Sequence, residues 1–225
     1  ARSSFKNQKL PKLNSRENPE KHEGTDNNIK QWTRSEVLRD YRFYILTLNL
    51  LSMPAIATGV FVYQSFILTS KNWGPFIMAQ SFMAYSVLSV ITLSVSGFLI
   101  DRYTSRKLLI YMNIPLFMAA IVLYLFDSSF SSFIFLGLIG ITNGFANVLG
   151  SSTWAEIYGV KHIGGIKALT SGLMVFATAT GTAIFGILID TGYSINSIAV
   201  FSAIYIAIIV LLLFFFRKKI EPIYV

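Results

Sequence analysis

The chain has 225 residues, of which 53% are hydrophobic and only 13% are charged, and its formal net charge is +8. Soluble domains usually carry about 25% charged residues, so this composition excludes an ordinary soluble enzyme and a disordered chain. Basic residues beside long apolar segments set membrane topology, so the positive charge does not indicate a nucleic-acid partner. The sequence contains no cysteine, which excludes disulfides, thiol nucleophiles and thiolate metal sites.

The chain begins with a hydrophilic head over residues 1–42, rich in Lys, Asn and Glu. Such a segment buries too little apolar surface to offset its ordering entropy, so we predict that the head is largely disordered, through about Lys30. Thr33 and Glu36 then form a potential capping box, which predicts a short interfacial helix that leads into the first span. A solvated linker with one ordered turn is the alternative interpretation.

Six uncharged blocks follow the head, and each is long enough to cross about 30 Å of hydrocarbon as a helix. The blocks lack the alternating pattern of transmembrane β-strands. They cover residues 43–70, 72–100, 108–126, 128–155, 168–189 and 191–216. The sequence therefore predicts an all-α membrane protein, with a six-helix transmembrane bundle over 43–216 and a short tail over 217–225.

The distribution of basic residues predicts the orientation of this bundle. Eighteen of the 19 Lys and Arg residues lie in the head, in the second and fourth interhelical loops and in the tail. Lys71 is the exception, in the first interhelical loop. By the positive-inside rule, both termini are cytoplasmic and the chain is an integral protein of the cell or inner membrane.

Polar side chains along the fourth predicted span form a stripe on one helical face. Asn143, Asn147, Ser151 and Trp154 follow the i, i+4, i+8, i+11 spacing that places side chains on a common side. Polar groups in hydrocarbon need a partner helix or a water-filled cavity. The stripe therefore indicates either a substrate path or hydrogen bonds between helices. In the first span, Asn49 and Gln64 are further candidates for cavity-lining groups.

A weak internal repeat divides the bundle into two units of three helices. Gly97 to Asp101 at the end of the second span and Gly186 to Asp190 at the end of the fifth both read G-x-L-I-D, 89 residues apart. These two spans end on opposite sides of the membrane. The sequence therefore predicts two inverted three-helix repeats, an organisation that secondary transporters use.

The loop after the second span resembles the G-x-x-x-D-R-x-G-R-R/K motif of the major facilitator superfamily. Thr104 stands where that family usually has glycine, the residue best suited to a tight turn. Residues 32–43, 154–166 and 186–194 look like segments of the monocarboxylate-transporter-like and oxalate–formate-antiporter-like branch. The matching motif residues are Gly97, Asp101, Arg102, Arg106 and Lys107.

This resemblance implies that the chain is the C-terminal half of a twelve-helix major facilitator fold and that its partner is an N-terminal six-helix half. It also implies alternating access, in which two halves rock around a midplane site for a small, organic solute. The first and fourth spans of each half line that cavity in the family. Carried over to this chain, the lining groups are Asn49, Gln64, Asn143, Asn147 and Trp154.

The resemblance also implies that the motif residues Gly97, Asp101, Arg102, Arg106 and Lys107, with Gly186 and Asp190 in the second copy, belong to a gate or latch. A basic loop that only sets topology is the alternative interpretation of these charges. The predicted spans 75–100 and 168–189 contain no Arg or Lys. Any charged solute-binding group is therefore expected from the other half.

No reaction chemistry is visible in the sequence. His22 and His162 lie in hydrophilic segments, and no P-loop is present, so we predict neither an enzyme nor a bound metal or cofactor. The predicted function is secondary transport, with the lipid bilayer and a small-molecule substrate as partners. The alternative is a non-transporting six-helix membrane subunit or receptor.

Overall fold

The computed structural model describes residues 29–224, and this part of the chain is helical. Runs of apolar residues form helices because a helix satisfies its own backbone hydrogen bonds, which is the requirement for crossing a lipid bilayer. The helices are α1 (Arg34–Val37), α2 (Tyr41–Val62), α3 (Gln64–Ser70), α4 (Ile77–Tyr103), α5 (Ser105–Leu109), α6 (Ile114–Leu125), α7 (Ser129–Tyr158), α8 (Ile163–Asp190) and α9 (Ile195–Phe216), followed by a 3₁₀ turn (Arg217–Lys219).

Six segments of the described chain are long and apolar enough to span a membrane. This result confirms the prediction of an all-α membrane protein with six spans. The first predicted span is interrupted at Tyr63, between α2 and α3, and the third is interrupted by a turn between α5 and α6. The fifth begins at Ile163, five residues before the predicted start.

The packing of the spans follows the predicted repeat. Helix α4 packs along α7, α8 packs along α2, and α6 and α9 pack on each other and against α7 and α2, respectively. If α2, α4 and α6 form one unit and α7, α8 and α9 the other, each helix has the same neighbours as its counterpart: α2 corresponds to α7, α4 to α8 and α6 to α9. Because each unit has three spans, the second unit enters the membrane from the other side. The arrangement is that of two inverted three-helix repeats.

Glycines allow the closest helix pairs to approach each other. A Cβ at Gly140 of α7 would overlap the backbone carbonyl of Tyr85 on α4, and one at Gly144 would lie 2.6 Å from the carbonyl oxygen of Ser89. A Cβ at Gly181 of α8 would likewise overlap the carbonyl of Ala55 on α2. Small residues at these crossings let the backbones touch, which is how membrane helices gain packing energy.

The two ends of the bundle differ in charge. We call the end that holds Arg106, Lys161 and Arg217 the basic end, and the end that holds Lys71 and Asp127 the opposite end. At the opposite end, the buried Lys71 ammonium binds the Asp127 carboxylate at 2.6 Å. The Trp73 indole N–H also donates to the Asp127 carbonyl oxygen at 2.8 Å. These contacts join the loop after α3 to the loop before α7.

The segment before α2 is anchored at the basic end by a buried ion pair. The Asp40 carboxylate accepts hydrogen bonds from the Arg42 Nε–H at 2.7 Å and from the Tyr158 hydroxyl at 3.1 Å. The Arg42 guanidinium also donates to the Glu221 carbonyl oxygen at 2.6 Å. Because a buried charge is costly without partners, these bonds hold the start of α2, the end of α7 and the tail together.

The predicted capping box is present at the single-turn helix α1. The Thr33 backbone N–H and hydroxyl each donate to the Glu36 carboxylate at 2.8 Å. The backbone hydrogen bond from Thr33, followed by the bond from its hydroxyl, lowers the pKa of Glu36 to about 2. Val37 of the same turn is fully buried. The predicted disorder of the head falls mainly on residues 1–28, which lie outside the described residues.

The turn between α4 and α5 forms despite the threonine at its centre. Thr104 has φ = 68° and ψ = 142°, a region that glycine occupies without strain but that a Cβ disfavours. Glycine, the usual residue at this position of the motif that the loop resembles, would adopt this conformation freely. Threonine adopts it at a cost in strain.

We expect Thr104→Gly to stabilise the protein by about 1 kcal/mol, because it relieves a positive-φ residue without removing a buried contact. The measurement is the apparent melting temperature of the purified protein, followed by intrinsic tryptophan fluorescence. Asn72 also has a positive φ, 51°, but asparagine tolerates this region. Asn72→Gly is therefore the control and should gain less. An unchanged melting temperature for Thr104→Gly would contradict the assignment of strain.

Candidate functional site

A polar cavity of about 220 Å³ lies between α2, α7 and α8, in the half of the bundle nearest the basic end. These three helices meet there without the close glycine contacts that join α4 to α7. Residues with a polar or charged group in the side chain make up more than half of its lining. They are Thr47 on α2, Asn147, Ser151 and Trp154 on α7, and Lys167, Thr170 and Ser171 on α8.

Helix α7 supplies the predicted stripe to one wall of this cavity. Asn147, Ser151 and Trp154 all face it. The Trp154 ring is only 1% exposed, and it stacks on Tyr158 with ring centroids 5.9 Å apart and packs against Phe43 at 5.3 Å. Aromatic packing of this kind immobilises the ring. Trp154 therefore forms a rigid side to the cavity.

Helix α8 supplies a cation that sequence analysis placed outside the span. Because α8 begins at Ile163, Lys167 lies inside the helix and lines the cavity with Thr170 and Ser171. Lys167 makes no ion pair with any residue in the described part of the chain. The i, i+3, i+4 spacing of Lys167, Thr170 and Ser171 was the sequence signal that these residues share one face of a helix. Sequence analysis missed this signal because the predicted span, 168–189, began after the charged residue.

Helix α2 contributes a hydroxyl that lacks a hydrogen-bond partner among residues 29–224. Thr47 is 6% exposed and lines the cavity, and its Oγ1 is buried without a protein partner. A buried hydroxyl without a partner costs about 1–3 kcal/mol.

The remaining predicted lining residues, Asn143, Asn49 and Gln64, lie outside the cavity lining. The Asn143 amide donates to the Ser89 hydroxyl of α4 at 2.9 Å, which joins α7 to α4. Asn49 is fully buried, and its amide donates to the Leu109 carbonyl oxygen at 3.1 Å. Gln64 begins α3, beyond the interruption in the first span. The stripe is thus divided between two environments, since Asn143 binds a partner helix and Asn147 faces the cavity.

An ion pair ties the loop motif to α7 at the basic end. The Arg106 guanidinium lies 3.1 Å from the Glu156 carboxylate. The same carboxylate accepts from the Ser105 hydroxyl at 2.6 Å and from the Arg106 backbone N–H at 3.2 Å. A carboxylate at the first turn of a helix interacts favourably with the exposed N–H groups there. Glu156 therefore holds the start of α5 against the end of α7.

The other motif residues face outward, and the two copies of the repeat differ. Asp101, Arg102 and Lys107 are exposed, and a Cβ at Gly97 would meet nothing within 4 Å. In the second copy, Gly186 is buried beneath the Tyr63 hydroxyl. Asp190 is exposed at the end of α8.

Comparison with protein-family models matches residues 45–223 to the major facilitator superfamily. The chain belongs to this superfamily. Members are transporters that bind small molecules and lie in lipid bilayers, and the matched region covers nearly all of the six spans. A comparison with curated proteins finds no match at the significance level applied. Family membership confirms the resemblance at the level of the superfamily, and it identifies the six-helix bundle as half of a major facilitator fold.

Proposed function

We propose that this major facilitator chain is the C-terminal half of a secondary transporter that moves a small organic solute by alternating access. The observation that supports this function most directly is the polar cavity between α2, α7 and α8. In transporters, solute sites lie where the repeats meet, and α2 and α7 are the equivalent first helices of the two repeats. An N-terminal six-helix half would close the cavity from the other side.

We further propose that the solute carries a negative charge. Lys167 is a cation in the lining, and the described residues around the cavity include no carboxylate. The Ser171 hydroxyl can donate to an anionic or polar oxygen, whereas the Thr170 hydroxyl donates to the Lys167 carbonyl oxygen at 3.0 Å.

The motif residues would act as a latch in this mechanism. The Glu156 bonds to Ser105 and Arg106 hold α5 to α7 in the present conformation. Asp101 and Arg102 are exposed beside this contact, where they could pair with the N-terminal half in one state and separate in another. Gly97, with open space above it, would permit the close approach of that half.

We propose that the basic end faces the cytoplasm, which follows from the positive-inside rule. Both the segment before α2 and the tail lie at this end, since Lys30 donates its backbone N–H to the Ile223 carbonyl oxygen at 2.8 Å. Family membership favours a transporter over the alternative of a non-transporting subunit or receptor.

The experiment is uptake by the complete native protein in proteoliposomes, with a cysteine introduced into the cavity wall. Because the chain has no cysteine of its own, Ser151→Cys gives a single site in this half for alkylation. We expect a bulky maleimide at this position to abolish uptake, and excess solute to protect against the reaction.

Thr191→Cys, at the exposed opposite end of α8, is the control. Alkylation there should leave uptake intact, and a membrane-impermeant reagent should label it in intact cells if the basic end is cytoplasmic. Full uptake after complete alkylation of Ser151→Cys would contradict the proposed solute path. Loss of uptake in both variants would assign the effect to general damage.

A further inference from the structure

A second cavity, of about 490 Å³, lies at the basic end where the loop motif meets the tail. It is bounded by the ends of α4 and α9 and by α5, and it is separate from the solute cavity, which involves α2, α7 and α8. Four cations line it: Arg106 and Lys107 from the motif and Arg217 and Lys218 from the 3₁₀ turn. Glu221 is the single carboxylate among the described lining residues.

Three of these cations have no counter-charge within the described chain, and two of those three are lysines. Arg106 is paired with Glu156, and the Arg217 guanidinium lies 4.3 Å from the Phe214 ring centroid. Lys107 and Lys218 are exposed and form no ion pair with residues 29–224. The cavity is therefore positively charged and has two ammonium groups available for an anion.

The cavity lies where the membrane-spanning helices end, next to exposed aromatic and apolar side chains. Its walls are the ends of membrane spans, and the exposed rings of Tyr103 and Tyr111 flank it, as aromatic residues do at membrane interfaces. From Tyr111, a stripe of exposed apolar side chains continues along α6 through Ile114, Met118 and Leu125. A charged cavity thus continues into an apolar helix face.

We propose that this cavity binds the headgroup phosphate of an anionic phospholipid, with the acyl chains against the exposed stripe of α6. Basic pockets between transmembrane helices on the cytoplasmic side are suited to such headgroups. The assignment to the cytoplasmic leaflet rests on the proposed orientation, whereas the binding itself does not depend on the transported solute. A free phosphate would use the cations but would gain nothing from the apolar stripe.

The experiment is native mass spectrometry of the complete protein after exchange into phosphatidylglycerol or phosphatidylcholine. We expect the wild type to retain phosphatidylglycerol in preference to phosphatidylcholine. Lys107→Gln/Lys218→Gln should lower this retention roughly tenfold, because each lysine near a headgroup contributes to binding. The matched control is Arg34→Gln/Lys161→Gln, which removes two exposed charges at the same end but outside the cavity.

Three results would overturn the proposal. Equal loss of lipid in the two double variants would indicate nonspecific attraction to the basic end. Unchanged retention in Lys107→Gln/Lys218→Gln would exclude these lysines as the site. Displacement of phosphatidylglycerol by equimolar inorganic phosphate would show that the cavity takes a free anion rather than a lipid. This experiment measures lipid retention and not transport. A result that contradicts the lipid site therefore leaves the proposed solute path untouched.

Discussion

Gly181→Ala is expected to destabilise the protein by about 2 kcal/mol or more. The added methyl group would overlap the backbone carbonyl of Ala55 on α2, and a backbone atom cannot move aside as a flexible side chain can. Helix α8 must therefore shift away from α2, which loosens the contact along its length. Overpacking of a close interface typically lowers stability by about 1–3 kcal/mol. Because this crossing has no room for a methyl group, we expect a loss of stability toward the upper end of that range.

Gly172→Ala is the matched control, because it lies on the same helix and a Cβ there meets nothing within 4 Å. This change should be neutral or slightly stabilising, since alanine favours a helix over glycine by about 1 kcal/mol. The measurement is the apparent melting temperature in detergent, with size-exclusion chromatography to check folding. Equal melting temperatures for the two variants would contradict the close packing of α8 on α2.

Lys167→Gln is expected to lower uptake of an anionic solute by about tenfold or more, mainly through a higher KM. A hydrogen bond to a charged group contributes about 1.5–3 kcal/mol, which corresponds to at least a tenfold change in binding. Lys167→Arg keeps the charge but changes the donor geometry, so it should retain a larger share of uptake. The measurement is initial uptake rate against solute concentration, with the complete native protein in proteoliposomes.

Lys161→Gln is the control for this prediction. Lys161 lies six residues earlier at the same end of the bundle, is exposed, and is outside the cavity. Its replacement removes the same charge from the basic end, and uptake should remain close to that of the wild type. If Lys167→Gln matches Lys161→Gln in both KM and maximal rate, Lys167 does not bind the solute. The other features of the cavity would then favour a neutral solute.

The spans were predictable from the sequence because hydrocarbon imposes a strong and local requirement. A helix of about 20 apolar residues is needed to cross the bilayer, so the six blocks marked the spans and the stripe on α7 marked one polar face. The spacing of Asn147, Ser151 and Trp154 was sufficient to place them together. The same reasoning placed Lys167 outside the fifth span. A rule that ends each span at the first charged residue does not detect a helix that continues past that residue.

The tertiary structure was needed to tell which predicted site residues line the cavity and which bind a neighbouring helix. Asn143 and Asn147 are four residues apart on one face, yet the first binds Ser89 and the second faces the cavity. This difference depends on where α4 crosses α7, which is determined by the fit of Gly140 and Gly144 against the α4 backbone. Asn49 was a plausible lining group from its position alone, but its hydrogen-bond partners, Leu109 on α5 and Asn113 in the turn before α6, are 60 or more residues away.

The sequence by itself determined that this protein is a membrane-spanning helical bundle, that its charge is concentrated at one end, and that it carries the loop motif of its superfamily. These properties follow from composition and short-range spacing, which local physical rules translate into helices and topology. Only the tertiary structure decided which polar groups share a cavity, that Glu156 holds the motif to α7, and that Lys107 and Lys218 line one cavity. Those contacts join residues that are distant in the chain, and they depend on helix crossings that no local pattern encodes.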